Sequence, residues 1–306
     1  MPRPGSPSKA EDAVRAIVGR TLAEPVDPRA AAMAAAIAER YGAAARAIIF
    51  YGSCLRQREL DGLMLDFYLI VSDYREAYGR GWLALANRLI PPNVFPFEHD
   101  GLAAKYAVLS EADLARECGP EARSVSVWAR FAQPSRLAWA SDAAARERTV
   151  ASVARAAPTL FALTRPTMDD GRDDPLAVFR AGFALTYRAE LRAERRDRSS
   201  SIVDADPEYY RVLGEAVLAG SATMAPTGDR RSVDRAWRGR RRKGKALSVV
   251  RLMKASTTFA GGIDYLAWKI NRHAGTDIEV KAWQRRWPLV GALILLPRLL
   301  KRGAIR

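Results

Sequence analysis

An apolar run, AIIFY at residues 47–51, ends in Gly52-Ser53, and the next run, MLDFYLIV at 64–71, carries one carboxylate, Asp66. A third run, LAAKYAVL at 102–109, carries one ammonium, Lys105. A charge inside an apolar strand is costly unless something pairs with it. Mg²⁺ is a natural partner for the acid, because it takes oxygen ligands and bridges to substrate phosphates. Gly52 lets backbone approach a phosphate with no Cβ in the way. Where such a turn opens a helix, its N–H groups hold a triphosphate, and Ser53 adds a hydrogen bond. Lys105 then faces the triphosphate or Asp66. These residues read together as nucleotidyl transfer. The usual pattern for that chemistry is acid-apolar-acid, period two placing both acids on one strand face. Here Tyr68 stands where the second acid belongs. The plainer readings are a tight turn, a strand-edge acid and a snorkelling lysine.

The elements that must position these groups are short. Residues 30–41 are rich in helix formers and predict a helix. Residues 47–51, 64–71 and 102–109 predict strands. Residues 77–89 predict a helix, and Ser110 to Asp113 resembles a capping box opening another. Residues 1–10 read as a frayed tail. Beyond about residue 141 the apolar spacing turns helical, over 142–164, 175–196 and 207–219. Residues 220–234 read as a loop, 237–245 (WRGRRRKGK) as a dense basic run, and 246–273 as a helix broken near Gly261-Gly262. The organisation expected is an α/β unit at 1–140, a helical unit at 141–245 and a basic, apolar C-terminal part at 246–306.

The chain has 306 residues, 49% of them apolar, which describes a globular protein. Its formal charge of +15 favours a polyanionic partner: a nucleotide, nucleic acid or an anionic membrane. A genome that prefers Arg gives the same charge without any partner. Cys54 and Cys118 make no disulfide framework and read as packing residues, and two histidines leave no basis for a His-based metal site. His99 is set aside as a general base, since a phosphate nucleophile is already ionised near neutrality. The first residues lack a secretory h-region and the look of a transit peptide.

Four segments, in order, resemble the mitochondrial-type phosphatidate cytidylyltransferases, the translocator assembly and maintenance family. FYGSCLRQ followed by MLDFYLIVSD is similar to that family's Tyr-Gly-Ser and single Asp, so a lone acid is a family trait. AAKYAVLSEADL is similar to its Lys-Tyr-Gly-Val strand. WARFAQPSRL is similar to its Gly-Arg-Leu-x-Lys-Pro segment, with Ala129 in place of the Gly. LTYRAELRAE, with SIVDADPEYYRVLGEAV, is similar to its Tyr-x-x-Asp-x-Arg stretch, with Glu190 in place of the Asp. KASTTFAGGIDY echoes its Ser-Ser-x-x-Gln-x-x-Lys-Gly but lacks the Gln and Lys. The resemblance covers about residues 47–270. It implies an α+β fold: a nucleotidyltransferase-like mixed sheet with helices, then a mainly helical, winged-helix-like domain. It implies the joining of CTP to phosphatidic acid, giving CDP-diacylglycerol and pyrophosphate with Mg²⁺. Asp66 would hold the metal. Asp66, Lys105 and Glu190 would be catalytic. Tyr51, Gly52, Ser53, Arg130, Tyr187 and Arg192 would bind nucleotide. Arg130 also reads as a surface ion pair, Glu190 as part of a solvated helix face, and Asp61 and Asp73 as loop acids.

A lipid acceptor requires contact with a bilayer. No run reaches the ~20 apolar residues needed to span one. Leu289 to Leu296 is a short apolar stretch beside Trp283 and Trp287, with Arg285, Arg286, Arg298, Lys301 and Arg302 around it. Such a composition describes an amphipathic segment lying in the headgroup layer. The expected partners are CTP, phosphatidic acid and an anionic membrane met through residues 283–306. The expected place is the cytoplasmic face of a bacterial inner membrane, or the matrix side of a mitochondrial one. A buried C-terminal helix is the plainer reading of the tail. Two rival functions stay open: a nucleotidyltransferase acting on RNA or a small molecule, and a non-catalytic basic protein that binds nucleic acid or membrane.

Overall fold

A computed structural model describes residues 8–56, 60–79, 81–190, 202–220 and 230–258, together with Lys281. Arg192, the Gly261-Gly262 break, the end of the KASTTFAGGIDY segment and the tail at 283–306 lie outside these residues.

Helix α1 (Lys9–Ala23) starts where a frayed tail was expected, because Ser8 and Glu11 form a reciprocal capping box. Asp27 caps α2 (Pro28–Glu39), with Pro at its first position. The Ile- and Phe-rich runs become β1 (Ala45–Tyr51) and β2 (Met64–Val71). The expected single helix after β2 is two, α3 (Tyr74–Tyr78) and α4 (Gly81–Leu89). Gly79 separates them in the left-handed region at φ +58°, which Gly adopts without strain. Strand β3 (Asn93–His99) joins β4 (Leu102–Ser110) through Asp100-Gly101, both at positive φ, a two-residue hairpin turn the sequence reading passed over. Next come α5 (Glu111–Cys118), α6 (Ser126–Phe131) and the edge strand β5 (Ser135–Ala140). The helical part holds α7 (Ala143–Val153), α8 (Ala156–Thr164), α9 (Pro175–Ala189), α10 (Pro207–Gly220) and α11 (Arg230–Thr258). Residues 230–234, expected as loop, open α11, and the basic run 237–245 lies inside that helix.

The architecture is α+β, built on a five-stranded mixed sheet in the order β3-β4-β2-β1-β5. Only β2 and β4 pair in parallel; the other neighbours are antiparallel. Period two sorts the side chains of β2. Leu65, Phe67, Leu69 and Val71 pack with α2 residues such as Met33 and Ile37. Tyr68 and Ile70 face the other way, into a cluster that runs from Val14 through Phe131, Phe161 and Phe183 to Trp237. That cluster crosses the expected boundary at residue 140. Each fully buried Phe or Ile contributes about 1.5–3 kcal/mol. Among the described residues, no helix is long and apolar enough to cross a membrane.

Candidate functional site

Asp66 enters the sheet on the same face as Tyr68, one register step nearer the strand's start. Strand pairing sets Tyr51 of β1 opposite Asp66, and Lys105 of β4 opposite Asp66 on its other side. Three neighbouring strands therefore bring Tyr51, Asp66 and Lys105 into one row at the edge of the helix layer. Ser135 of β5 continues the row beyond Tyr51.

Lys105 Nζ lies 2.9 Å from Asp66 Oδ1, with side chains 28% and 21% exposed. The contact is an ion pair, and Oδ1 is buried. The opposite oxygen faces Gly52, whose φ is +95°; a Cβ at that position would lie 3.2 Å from Asp66 Oδ2. The glycine is thus required by the backbone and also clears space beside the carboxylate. After Gly52 the chain does not open the expected α-helix. Ser53–Arg56 is a four-residue 3₁₀ turn, with Ser53 exposed. An anion there is not offered the N-terminus of a full helix.

The floor of the site is aromatic. Tyr51 and Tyr68 pack with tilted rings at 5.1 Å between centroids, and Phe131 packs on Tyr68 at 5.1 Å. Burial, and then the Asp66 charge, hold the Tyr51 hydroxyl protonated well above its ordinary range.

A second charged group adjoins this floor. Glu190 caps the end of α9 and turns inward, 7% exposed, where a solvated helix face was one reading. It accepts a hydrogen bond from Ser126 Oγ and lies 3.7 Å from Arg130 Nη1. Burial opposes the Arg130 charge, but its surroundings, Glu190 and Asp66 among them, outweigh that and raise its pKa. Arg130 is therefore a part-buried cation, 29% exposed, held against the buried Glu190 carboxylate. Arg251 reaches in from α11, donating to Ser126 Oγ at 2.7 Å, to the Pro91 carbonyl at 2.8 Å and to Ser124 Oγ at 3.2 Å. Burial lowers its pKa. Lys105, Arg130 and Arg251 set against Asp66 and Glu190 leave the site net positive, which suits an anionic ligand.

Of the residues singled out from sequence, Tyr51, Gly52, Asp66, Lys105, Arg130 and Glu190 come together. Tyr187 lies on the last turn of α9, part-buried against the core. Asp61 pairs with Arg29 at 2.7 Å and Asp73 caps α3, so both acids have other work. Ser126 and Arg251 were missed. For Arg251 the signal was present: a lone cation in the apolar stretch SVVRLM, the same logic that picked out Lys105. Clefts of about 400 Å³ between α1 and α7 and about 490 Å³ beside α3 and α4 lie apart from this site.

A divalent cation fits Asp66 on two counts. Oδ1 is a buried oxygen whose close neighbour is a cation, the Lys105 ammonium, in place of a neutral donor, and no side chain at Gly52 crowds Oδ2. Among the described residues no three acidic, His or Cys side chains converge, so such an ion must complete its sphere with substrate phosphates and water, as Mg²⁺ commonly does. No family model matches the chain, and no curated protein matches it.

Proposed function

We propose that this chain is a Mg²⁺-assisted nucleotidyltransferase that joins CTP to phosphatidic acid, releasing pyrophosphate and forming CDP-diacylglycerol. The sheet would then be of the nucleotidyltransferase kind, with the following helices as its winged-helix-like companion. The observation that carries the reading is the row Tyr51–Asp66–Lys105 with Gly52 pressed against the carboxylate. The four ordered segments similar to the cytidylyltransferase family supply the choice of CTP and lipid.

In this reading the Asp66 carboxylate would hold the metal, and Gly52 would allow backbone to approach the nucleotide phosphates. The ion would supply charge neutralisation on the transferring phosphoryl group. Lys105 leaves its ion pair with Asp66 for the triphosphate as nucleotide binds. Arg130, fixed by Glu190 and Ser126, presents a planar cation to the incoming phosphate. The lipid phosphate attacks the α-phosphorus in line; its P–O bond forms as the bond to pyrophosphate breaks. Two anions do not approach unaided, so positioning and cations do the catalytic work. The acceptor is ionised already, and no general base is required. Residues 283–306 would hold the protein at the anionic surface of the membrane, on the side facing the cytoplasm or the matrix.

The test is incubation with α-labelled CTP and Mg²⁺ in the presence of phosphatidic acid liposomes or of RNA. Label in the lipid is expected. Label in RNA alone would reassign the acceptor, and none in either would leave a binding protein.

A further inference from the structure

Among the described residues, the exposed large apolar side chains are Trp82, Leu85 and Leu89, at 53%, 57% and 65% exposure. All belong to α4. Spacings of three and four place them on one helical face. The opposite face is fixed. Asn87 is fully buried; its amide donates to the Val108 carbonyl at 3.0 Å and accepts from the Asn93 N–H. Asn93 in turn donates to the Leu83 carbonyl at 3.1 Å. Rotating α4 to hide its leucines would leave these buried amides unpaired, so the apolar stripe is held outward.

We propose that this face of α4 docks on an anionic bilayer. Helix α4 contains no acid, and its Arg88 is exposed. Arg88 and Arg75 of α3 line the cleft of about 490 Å³ that Leu85 borders, where a lipid phosphate would be met by two guanidinium groups. Asp73 also lines this cleft, where its carboxylate caps α3, and nearby Glu76 accepts from Ser72. The C-terminal part of α11 abuts the end of α4, with Arg251 and Lys254 donating to the carbonyls of Pro91 and Ile90. The same helix carries Arg231, Arg235, Arg238, Arg242 and Lys245, all exposed, at spacings that keep them on one side over about 21 Å. Trp, Leu and Arg on a short helix unable to span describe an interfacial element.

A second protein is a poorer occupant. Three side chains offer a few hundred Å², against about 800 Å² on each partner of a stable interface. The inference rests on the lipid-acceptor reading for its purpose, while the binding itself is measured without turnover.

The test floats the full chain with vesicles of phosphatidylcholine alone and of phosphatidylcholine mixed with phosphatidylglycerol. Wild type is expected to float with the mixed vesicles and much less with the neutral ones. Leu85→Ser/Leu89→Ser and, separately, Arg75→Gln/Arg88→Gln should each lower partitioning by roughly tenfold. Their melting temperatures should not change, because the altered side chains are exposed. Equal flotation of wild type and both variants overturns the proposal, as does a wild-type dimer that dissociates on the leucine substitutions. Turnover of short-chain, water-soluble phosphatidic acid separates the two readings. Flotation that depends on α4, with no turnover, leaves the docking surface standing and removes the reaction.

Discussion

Gly52→Ala tests the geometry at the point where it is tightest. Two costs follow from the structure. Alanine at φ +95° is strained, by about 1–3 kcal/mol. The new Cβ would also lie 3.2 Å from Asp66 Oδ2, so the carboxylate must yield by a few tenths of an ångström. A combined loss of about 2–3 kcal/mol lowers the melting temperature by several degrees in a chain of this size. Displacement of the carboxylate proposed to hold the metal adds a kinetic effect. A misplacement of 1 Å costs about a hundredfold in rate, so a few tenths of an ångström should cost several-fold to tenfold. Gly42→Ala is the control: its φ is +51° and nothing lies within 4 Å of the added Cβ. It should cost about 1–2 kcal/mol of backbone strain and leave the rate unchanged. Thermal unfolding and pyrophosphate release on both variants decide the matter. A Gly52→Ala protein as active as Gly42→Ala would mean that Asp66 is not positioned against this glycine for chemistry.

Asp66→Asn should abolish turnover while the folded state persists, visible as an unchanged far-UV spectrum; near-normal rates would remove the residue from the site. Glu190→Gln withdraws a buried carboxylate from between Arg130 and Ser126 and should cost about 3 kcal/mol in denaturant unfolding, with a negligible change counting against the buried pair. Burial, and then Arg251, lower the Lys254 pKa from 10.5 to about 7. Between those values the unfolded chain binds a proton that the folded one has released. Lys254 therefore makes stability rise with pH across that window, by up to about 1.4 kcal/mol per unit. Lys254→Met should remove this slope, so its stability relative to wild type falls as pH rises; parallel profiles would show that the ammonium is not desolvated.

The parts of the site legible in sequence were those marked by a charge in the wrong surroundings. Asp66 and Lys105 each interrupt an apolar strand, and strand pairing makes them partners. Gly52 was legible as a turn, but its closeness to Asp66 needed the register of β1 on β2. Glu190 was singled out through the family resemblance, but its inward turn was not readable. It falls one residue beyond α9 and turns toward Ser126, a contact between residues 64 apart that leaves no local pattern. Strand β3 was hidden by Pro96 and Glu98, which lower its strand signal, although Asp100-Gly101 marked the turn after it. Helix α11 was misread at its start because exposed arginines occupy most of its surface. Its inward side is marked by little more than Trp237, Gly244 and Arg251, too sparse to register as an apolar stripe. The exposed face of α4 reads in sequence like any buried amphipathic helix; only packing shows which side the core takes.

Crystals grown with CTP and Mn²⁺, read by anomalous scattering, put the question to the site itself. A manganese peak in the coordination sphere of Asp66, shared with the nucleotide phosphates beside Gly52, is the expected result. A nucleotide bound elsewhere, for instance in the cleft between α3 and α4 with no metal at Asp66, would contradict it.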